Sequence, residues 1–431
     1  MAGRAIKVTV AMLVALLVSA CGSGVRTGRV KDAATARKHG PPVVDIYVSL
    51  PLRGPGRGAG TAIQQGVKVG FNEVEAPRGH IGLFRVRISY LNDANAHGWS
   101  VTQTFNNARR AARDPLAAIY IGELDSGATE ISLPILNQAG IIEVTPLSSF
   151  AGLTDKLPTV IPAADDEPQR FYPDARLHNL LRLAPNNLVQ LAAILDAFKA
   201  KRFGDCTRLT ALSFGGGPGS QIAVAGAAAT ARLYGIKFLA TKVPPMTKRT
   251  TITELASYIE TLRAQQVGCL LLAGQPSGRA VTLMHLIRVD MPSLGVIGTA
   301  GYCHNRPAIP FLYCVSPVLP LNTYSNWQLY AGRYRHVLGV RGQPPASSVF
   351  GYVAAEIAGA LLLDVPSASQ DIRAQLQEVL RTGSFFTDSL LLGDVYFNTS
   401  GDINQRHVGL YQQQAKGALR FDAVISPPRW L

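Results

Sequence analysis

The sequence predicts an α/β protein with two doubly wound, Rossmann-like lobes. Three observations lead there. Short apolar runs alternate with helical stretches in two separate series, one ending near residue 182 and one starting near residue 209. Gly- and Pro-rich turns punctuate both series. About 390 residues follow the first 41, a length for two or three domains.

Residues 1–21 read as a secretion signal. Arg4 and Lys7 form a basic start, and residues 8–18 an apolar core too short to span a bilayer as a mature helix. The core ends in Val18-Ser19-Ala20-Cys21, followed by Gly-Ser-Gly. This resembles the lipobox of bacterial lipoproteins, which implies cleavage before Cys21 and lipidation of that residue. Residues 22–41 are polar and basic with little aliphatic periodicity, as in a flexible tether. No later apolar run is long enough to span a membrane, so the rest is expected to be soluble and extracytoplasmic.

The formal charge is +14, of which the signal carries only Arg4 and Lys7. No aromatic-interleaved basic stripe, zinc-finger spacing or helix-turn-helix pattern accompanies it, so no nucleic acid is expected. A basic surface next to acidic lipid accounts for the charge.

The first series opens with a strand at 43–50, a turn-rich loop at 51–58 and a helix at 61–74. No Gly-Lys-Ser/Thr follows the glycines, which excludes a phosphate loop. A strand at 84–91 and a helix at 101–112 come next. The stretch 117–149 reads as strand, polar turn, helix, strand, loop. Pro134 kinks or restarts its helix, and Gly140 suits the position past the helix end. Two parallel strands deliver the turn Leu124-Asp125-Ser126 and the loop Leu147-Ser148-Ser149 to one sheet edge, where open α/β folds bind ligands. Ser126 either caps its helix or stands beside unpaired N–H groups that suit an anion.

Residues 155–176 carry several prolines and the acids Asp165, Asp166 and Glu167, and read as an insertion. The second series has strands at 209–214, 237–243, 269–273 and 295–298, with helices at 222–234 and 252–265. The turn Gly215-Gly216-Gly217-Pro218-Gly219-Ser220 does not complete a dinucleotide fingerprint, because Ser220 stands at the third glycine position. Helices at 327–338, 348–363 and 372–381 precede a tail of strands.

The chain after Pro42 resembles the type I periplasmic binding proteins, in particular those for branched-chain amino acids. The resemblance rests on Tyr120-Ile121-Gly122 before Leu124-Asp125-Ser126, on Thr145-Pro146-Leu147-Ser148-Ser149, on Gly351-Tyr352-Val353-Ala354-Ala355, and on the tail from Leu392 to Asp402. It implies two lobes joined by a three-stranded hinge, residues 42–182 with 317–388 forming one and 183–316 with 389–431 the other. It also implies a small-molecule ligand, an ABC permease partner, no cofactor and no enzymatic activity. The ligand residues carried over are Leu124, Asp125, Ser126, Leu147, Ser148 and Ser149; in the second lobe, where the sequence departs from the family, Gln275 and Tyr302 are expected to line a less charged pocket. The acid that pairs with the ligand ammonium in the family is missing from Thr299-Ala300-Gly301. Either Asp125 or another acid replaces it, or the ligand is not an α-amino acid.

Catalysis finds little support. The eight His residues fall at no metal-ligand spacing, and no Gly-x-Ser-x-Gly elbow is present. Three functions stay open: solute capture for an importer, a sensing or scaffolding module without a permease, and an enzyme on the same fold. Four cysteines remain after Cys21. Cys206 and Cys269 begin strands that neighbour each other in a doubly wound sheet, and Cys303 and Cys314 close a short loop, so two bridges are expected in an oxidising compartment.

Overall fold

Strand β1 (Val43–Leu50) is the hub of the first sheet, and seven of its eight residues are buried. A computed structural model describes residues 41–74, 79–156, 168–200, 203, 206–214, 218–240, 246–247, 249–304, 307–367, 371–382, 385–415 and 417–428. The signal, the tether up to residue 40 and Cys21 lie outside these residues, as do Asp165, Asp166 and Glu167 of the insertion and residues 215–217 of the Gly-rich turn. Residues Pro42–Leu431 form one compact unit.

From β1 the chain enters α1 (Arg57–Val74), which starts four residues earlier than its sequence pattern. The short β2 (His80–Ile81) and β3 (Phe84–Asn92) follow, then a small hairpin, β4 (Ala94–Asn95) and β5 (Gly98–Trp99). Helix α2 (Val101–Arg113) begins where the Ser100 hydroxyl accepts a bond from the Gln103 N–H. The core stretch gives β6 (Ala117–Ile121), α3 (Ser126–Gln138) and β7 (Ile142–Thr145). Pro134 is accommodated inside α3, and Gly140 takes the left-handed conformation (φ +69°) that ends it. β8 (Leu180–Arg182) closes the sheet, whose order is β2-β3-β1-β6-β7-β8. All its pairings are parallel except the β2–β3 hairpin. The strand order reverses at β1, so the ends of β1, β3 and β6 meet at a switch point.

The second series holds α4 (Asn187–Lys199), β9 (Arg208–Phe214), α5 (Pro218–Leu233), β10 (Lys237–Phe238), α6 (Ile252–Ala264), β11 (Cys269–Gly274), α7 (Gly278–Asp290), β12 (Gly295–Gly298), α8 (Ala300–His304) and β13 (Tyr313–Ser316). Asn186 caps α4 and a Thr251–Glu254 capping box starts α6. The chain then forms α9 (Trp327–Leu338), α10 (Ser348–Leu363) and α11 (Ile372–Arg381), the hairpin β14 (Phe386–Ser389) and β15 (Gly393–Tyr396), and finally β16 (Val408–Gln413) and β17 (Leu419–Ile425). The second sheet runs β10-β9-β11-β12-β13-β16-β17; its antiparallel pairings are β13–β16 and β16–β17, so β16 alone runs against the other strands of that sheet. Cys206 and Cys269 lie on adjacent strand starts with Cα atoms 5.4 Å apart, and Cys303 and Cys314 5.5 Å apart, both pairs within bridging distance and both in the second lobe.

Helices α9 and α10 return to the first lobe. α1 and α10 cross through glycines: a Cβ on Gly66 would collide with the Ser348 carbonyl oxygen, and one on Gly351 with that of Ile63. The boundary expected at 388/389 is corrected. Leu391, Val395 and Ile403 belong to the first-lobe core, because the β14–β15 hairpin is held on α10. Buried Glu356 accepts from the Ser389 hydroxyl (2.6 Å) and the Leu390 N–H (3.0 Å). The last crossing therefore falls after Ile403.

At the crossings Arg182 is fully buried. Its guanidinium donates to Asp402 Oδ1 (2.5 Å), to the Phe150 carbonyl and to the Thr154 hydroxyl. Asp402 Oδ2 also accepts from Thr154 (3.0 Å) and Asn186 (3.2 Å). Burial alone would raise the Asp402 pKa, but Arg182 and these donors outweigh it and the net shift is downward.

Candidate ligand-binding site

Strands β6 and β7 end side by side, and the loops after them form one surface. Ser126 opens α3, yet its side chain is not the helix cap. That place belongs to Asp125, whose carboxylate makes no capping bond. The Ser126 Oγ instead accepts from the N–H groups of Ser149 and Phe150, both at 3.2 Å, and so binds one loop to the other. Thr145 Oγ1 donates to the Glu123 carbonyl (2.7 Å) and accepts from the Ser148 N–H (3.3 Å). Ser148 is fully buried and its hydroxyl has no hydrogen-bond partner among the described residues. The Ser149 carbonyl accepts from the Asn187 N–H (2.7 Å), which ties this loop to the start of α4. Leu124 and Leu147 are half-buried against the first-lobe core. All six first-lobe residues expected at the site thus lie together on two adjoining loops.

The geometry adds residues that sequence reasoning did not single out. Asp93 follows β3 and is 1% exposed; Glu123 follows β6 and is fully buried. The Glu123 carboxyl accepts from Tyr120 (2.6 Å) and Ser49 (3.3 Å), and Asn107 donates to Ser49 (3.1 Å). Asp93 meets no N–H or hydroxyl donor among the other described residues; its carboxyl shares a hydrogen bond with that of Glu123. Burial raises the pKa of Asp93, and burial plus the Asp93 carboxyl pushes Glu123 well above the carboxylate range. Glu143 on β7 is raised by burial too, and accepts from Ser132 (2.7 Å). Acids placed just after the two strands that flank β1 are the sequence signal that would have found Asp93 and Glu123.

Asp125 is exposed, yet ringed by protein: burial of its surroundings first, then the Asp93 charge, raise its pKa to about 6. A group that is open to solvent but desolvated sits in a concave place. Beside it the Trp99 indole covers the first turn of α3, and a Cβ on Gly127 would come within 2.9 Å of Trp99 Cζ2.

In the second lobe, Gln275 is exposed on the loop after β11, near the start of α8. Tyr302 is corrected. It is fully buried in the second-lobe core under Gly298 and lines no open surface. Its aromatic ring follows the periodicity of α8 into the sheet.

Among the described residues no group of three or more His, Cys, Asp or Glu is placed to hold a metal ion, and no helix is long and apolar enough to cross a membrane. A cavity of about 1020 Å³ lies at the other edge of the first sheet, lined in part by Gly140, His178, Arg373, Phe385 and Phe397. Its Arg373 is committed to the carbonyls of Asp114, Ala117 and Ala139, and it lies at the wrong ends of the strands for the loops described above.

No family model and no curated protein matches the chain. Solved structures do. A leucine binding protein, LivK, from Thermotoga maritima is 17% identical with a TM-score of 0.63, over 89% of this chain and 99% of that one. An ABC transporter substrate-binding protein from Desulfitobacterium hafniense in complex with Leu is 15% identical with a TM-score of 0.64, over 88% and 100%. A solute binding protein from R. palustris in complex with benzoate is 14% identical with a TM-score of 0.61, over 89% and 97%. With two doubly wound lobes and three crossings between them, this chain has the fold of the type I periplasmic binding proteins.

Proposed function

We propose that this chain is an extracytoplasmic solute-binding lipoprotein that captures a small polar ligand between its lobes for an ABC importer. One observation carries the reading: the Leu124–Ser126 turn and the Leu147–Ser149 loop, joined by the Ser126 hydroxyl, stand at the carboxyl edge of the first sheet next to its switch point. The solved proteins with this fold that are titled as substrate-binding or solute-binding proteins support it. The second-lobe partner is the loop bearing Gln275. No reacting constellation is needed for such a role. The two cysteine pairs at bridging distance suit an oxidising compartment.

The experiment is mass spectrometry of whatever small molecule remains after gentle purification, followed by calorimetry with the identified compound. Stoichiometric binding supports the reading; a nucleotide or a turned-over product in its place sinks it. The anchor at Cys21 is tested separately. Wild-type protein partitions into detergent with membranes, and Cys21→Ala releases it or stalls its maturation. Wild-type protein free in the medium with Cys21 unmodified would exclude the anchor.

A further inference from the structure

The first-lobe floor of the site is acidic, although the chain as a whole carries a formal charge of +14. Asp125 presents an exposed carboxylate with no hydrogen-bond or ion-pair partner among the described residues. Behind it stands Asp93, 1% exposed, which meets no N–H, hydroxyl or basic group among the other described residues and shares a hydrogen bond only with another acid, Glu123. Buried acids without a basic partner are costly, and proteins keep such groups where something else satisfies them. Among the described residues no Lys or Arg acts on Asp125, and the charge that does is that of Asp93, another acid. The Trp99 indole lies against the same turn. Carboxylates next to an aromatic face are the means by which proteins hold organic cations. A carboxylate ligand would meet repulsion here, and the positive end of α3 is already occupied by Asp125.

We propose that this floor is a cation subsite, in which Asp125, backed by Asp93 and flanked by Trp99, takes an ammonium, guanidinium or quaternary ammonium group of the solute. The inference rests on the solute-binding reading and names the ligand class for the same cleft. It also supplies the charge partner that Thr299-Ala300-Gly301 lacks.

The groups around Asp125 set the pH behaviour. Asp93 faces it directly, with Glu123 and its donor Tyr120 beyond and Glu143 on β7 further back. All are acids and all are raised, so no neighbour gains positive charge as pH falls. Asp125 itself titrates at about 6. Cation affinity therefore holds at pH 7.5 and falls as pH drops below 6.

The test is calorimetry and thermal melting of the full chain with choline, agmatine and putrescine. Leucine, benzoate and 3,3-dimethyl-1-butanol, the neutral isostere of choline, serve as controls. At least one cation is expected to bind and to raise the melting temperature, with its affinity reduced at least about tenfold by Asp125→Asn and again at pH 5. Asp125 makes no capping bond and its charge is desolvated, so Asp125→Asn is expected to melt at or above the wild-type temperature without ligand. Asp93→Asn should weaken the same cation without abolishing binding. Binding of benzoate with every cation inert, or leucine binding left unchanged by Asp125→Asn, overturns the cation subsite and leaves the solute-binding reading standing. Inertness of all six compounds, with no ligand found after gentle purification, overturns both. A cation that binds Asp125→Asn as tightly as wild type also overturns the assignment.

Discussion

Ser126 and Ser149 separate what a hydroxyl does for the fold from what it does for a ligand. The Ser126 Oγ accepts two backbone N–H groups of the neighbouring loop, so Ser126→Ala strands both. The expected cost is on the order of 1–3 kcal/mol in stability, with a loss of ligand affinity as the Ser149 loop shifts. The Ser149 hydroxyl has no partner among the described residues. Ser149→Ala should therefore melt like wild type while binding the cognate ligand more weakly by a similar 1–3 kcal/mol. Calorimetry alongside melting curves decides it: a Ser149→Ala variant that binds like wild type removes that hydroxyl from the site. The position of Ser126 is legible in the sequence, since a strand ending in Gly122 followed by a polar turn announces a loop at a sheet edge. What it bonds to is not. A side chain at a helix start reads as a cap from local spacing alone, and only the three-dimensional approach of the second loop offers it better-placed donors. Tyr302 failed for a related reason. Loop position places a residue near the cleft, but the turn of a short helix decides whether it faces the cleft or the core.

At the scale of elements, strands and helices follow the apolar pattern closely, because parallel strands buried on both faces are continuous apolar runs bounded by turns. Helix α1 is the exception. Its first turn, with Gly58 and Gly60, looks like loop yet is helical, and further along α10 presses against Gly66. Gly66 and Gly351 each face a carbonyl oxygen of the opposite helix at a distance no side chain permits. Gly66→Ala should force the pair apart and destabilise the fold by roughly 1–3 kcal/mol or more, whereas Gly332→Ala on α9, where nothing lies near the added Cβ, should be neutral or slightly stabilising. Urea midpoints of the two variants check this, and an unaffected Gly66→Ala would mean the helices do not meet there. The lobe boundary misplaced at 388/389 belongs to the same scale. A strand, a Gly-Asp turn and a further strand look alike whether the hairpin leans on one lobe or the other, and it is the buried Glu356 that holds it to the first.

For the whole molecule, buried acids govern the response to pH. Asp93, Glu123 and Glu143 have raised pKa values from burial, Asp125 and Asp155 are raised to about 6, and Glu356 to about 7. Between roughly pH 4.5 and 7 the folded chain then binds more protons than the unfolded one, so stability rises as pH falls. Asp402, whose pKa is lowered, works in the other direction only below about pH 4. His304, whose pKa burial lowers, opposes the trend below about 6.5, as a single group against six. The urea midpoint of ligand-free protein is expected to be higher at pH 5 than at pH 7.5; the reverse order would mean that these carboxyls are hydrated or paired.

The interlocked helices of the first lobe also govern when that lobe can exist. Tyr334 donates to Gln65 across 269 residues of sequence, and Tyr352 to Glu73 across 279. Until α10 has been synthesised, the face of α1 bearing Gly66 and Gly70 lacks the helix that packs on it. Contacts this distant in sequence form slowly. A chain emerging from the ribosome with its first 300 residues complete thus holds an open first lobe and a second one that still lacks β13, β16 and β17. If the chain is exported as proposed above, late closure of the leading lobe keeps the end that enters the membrane first in a threadable state.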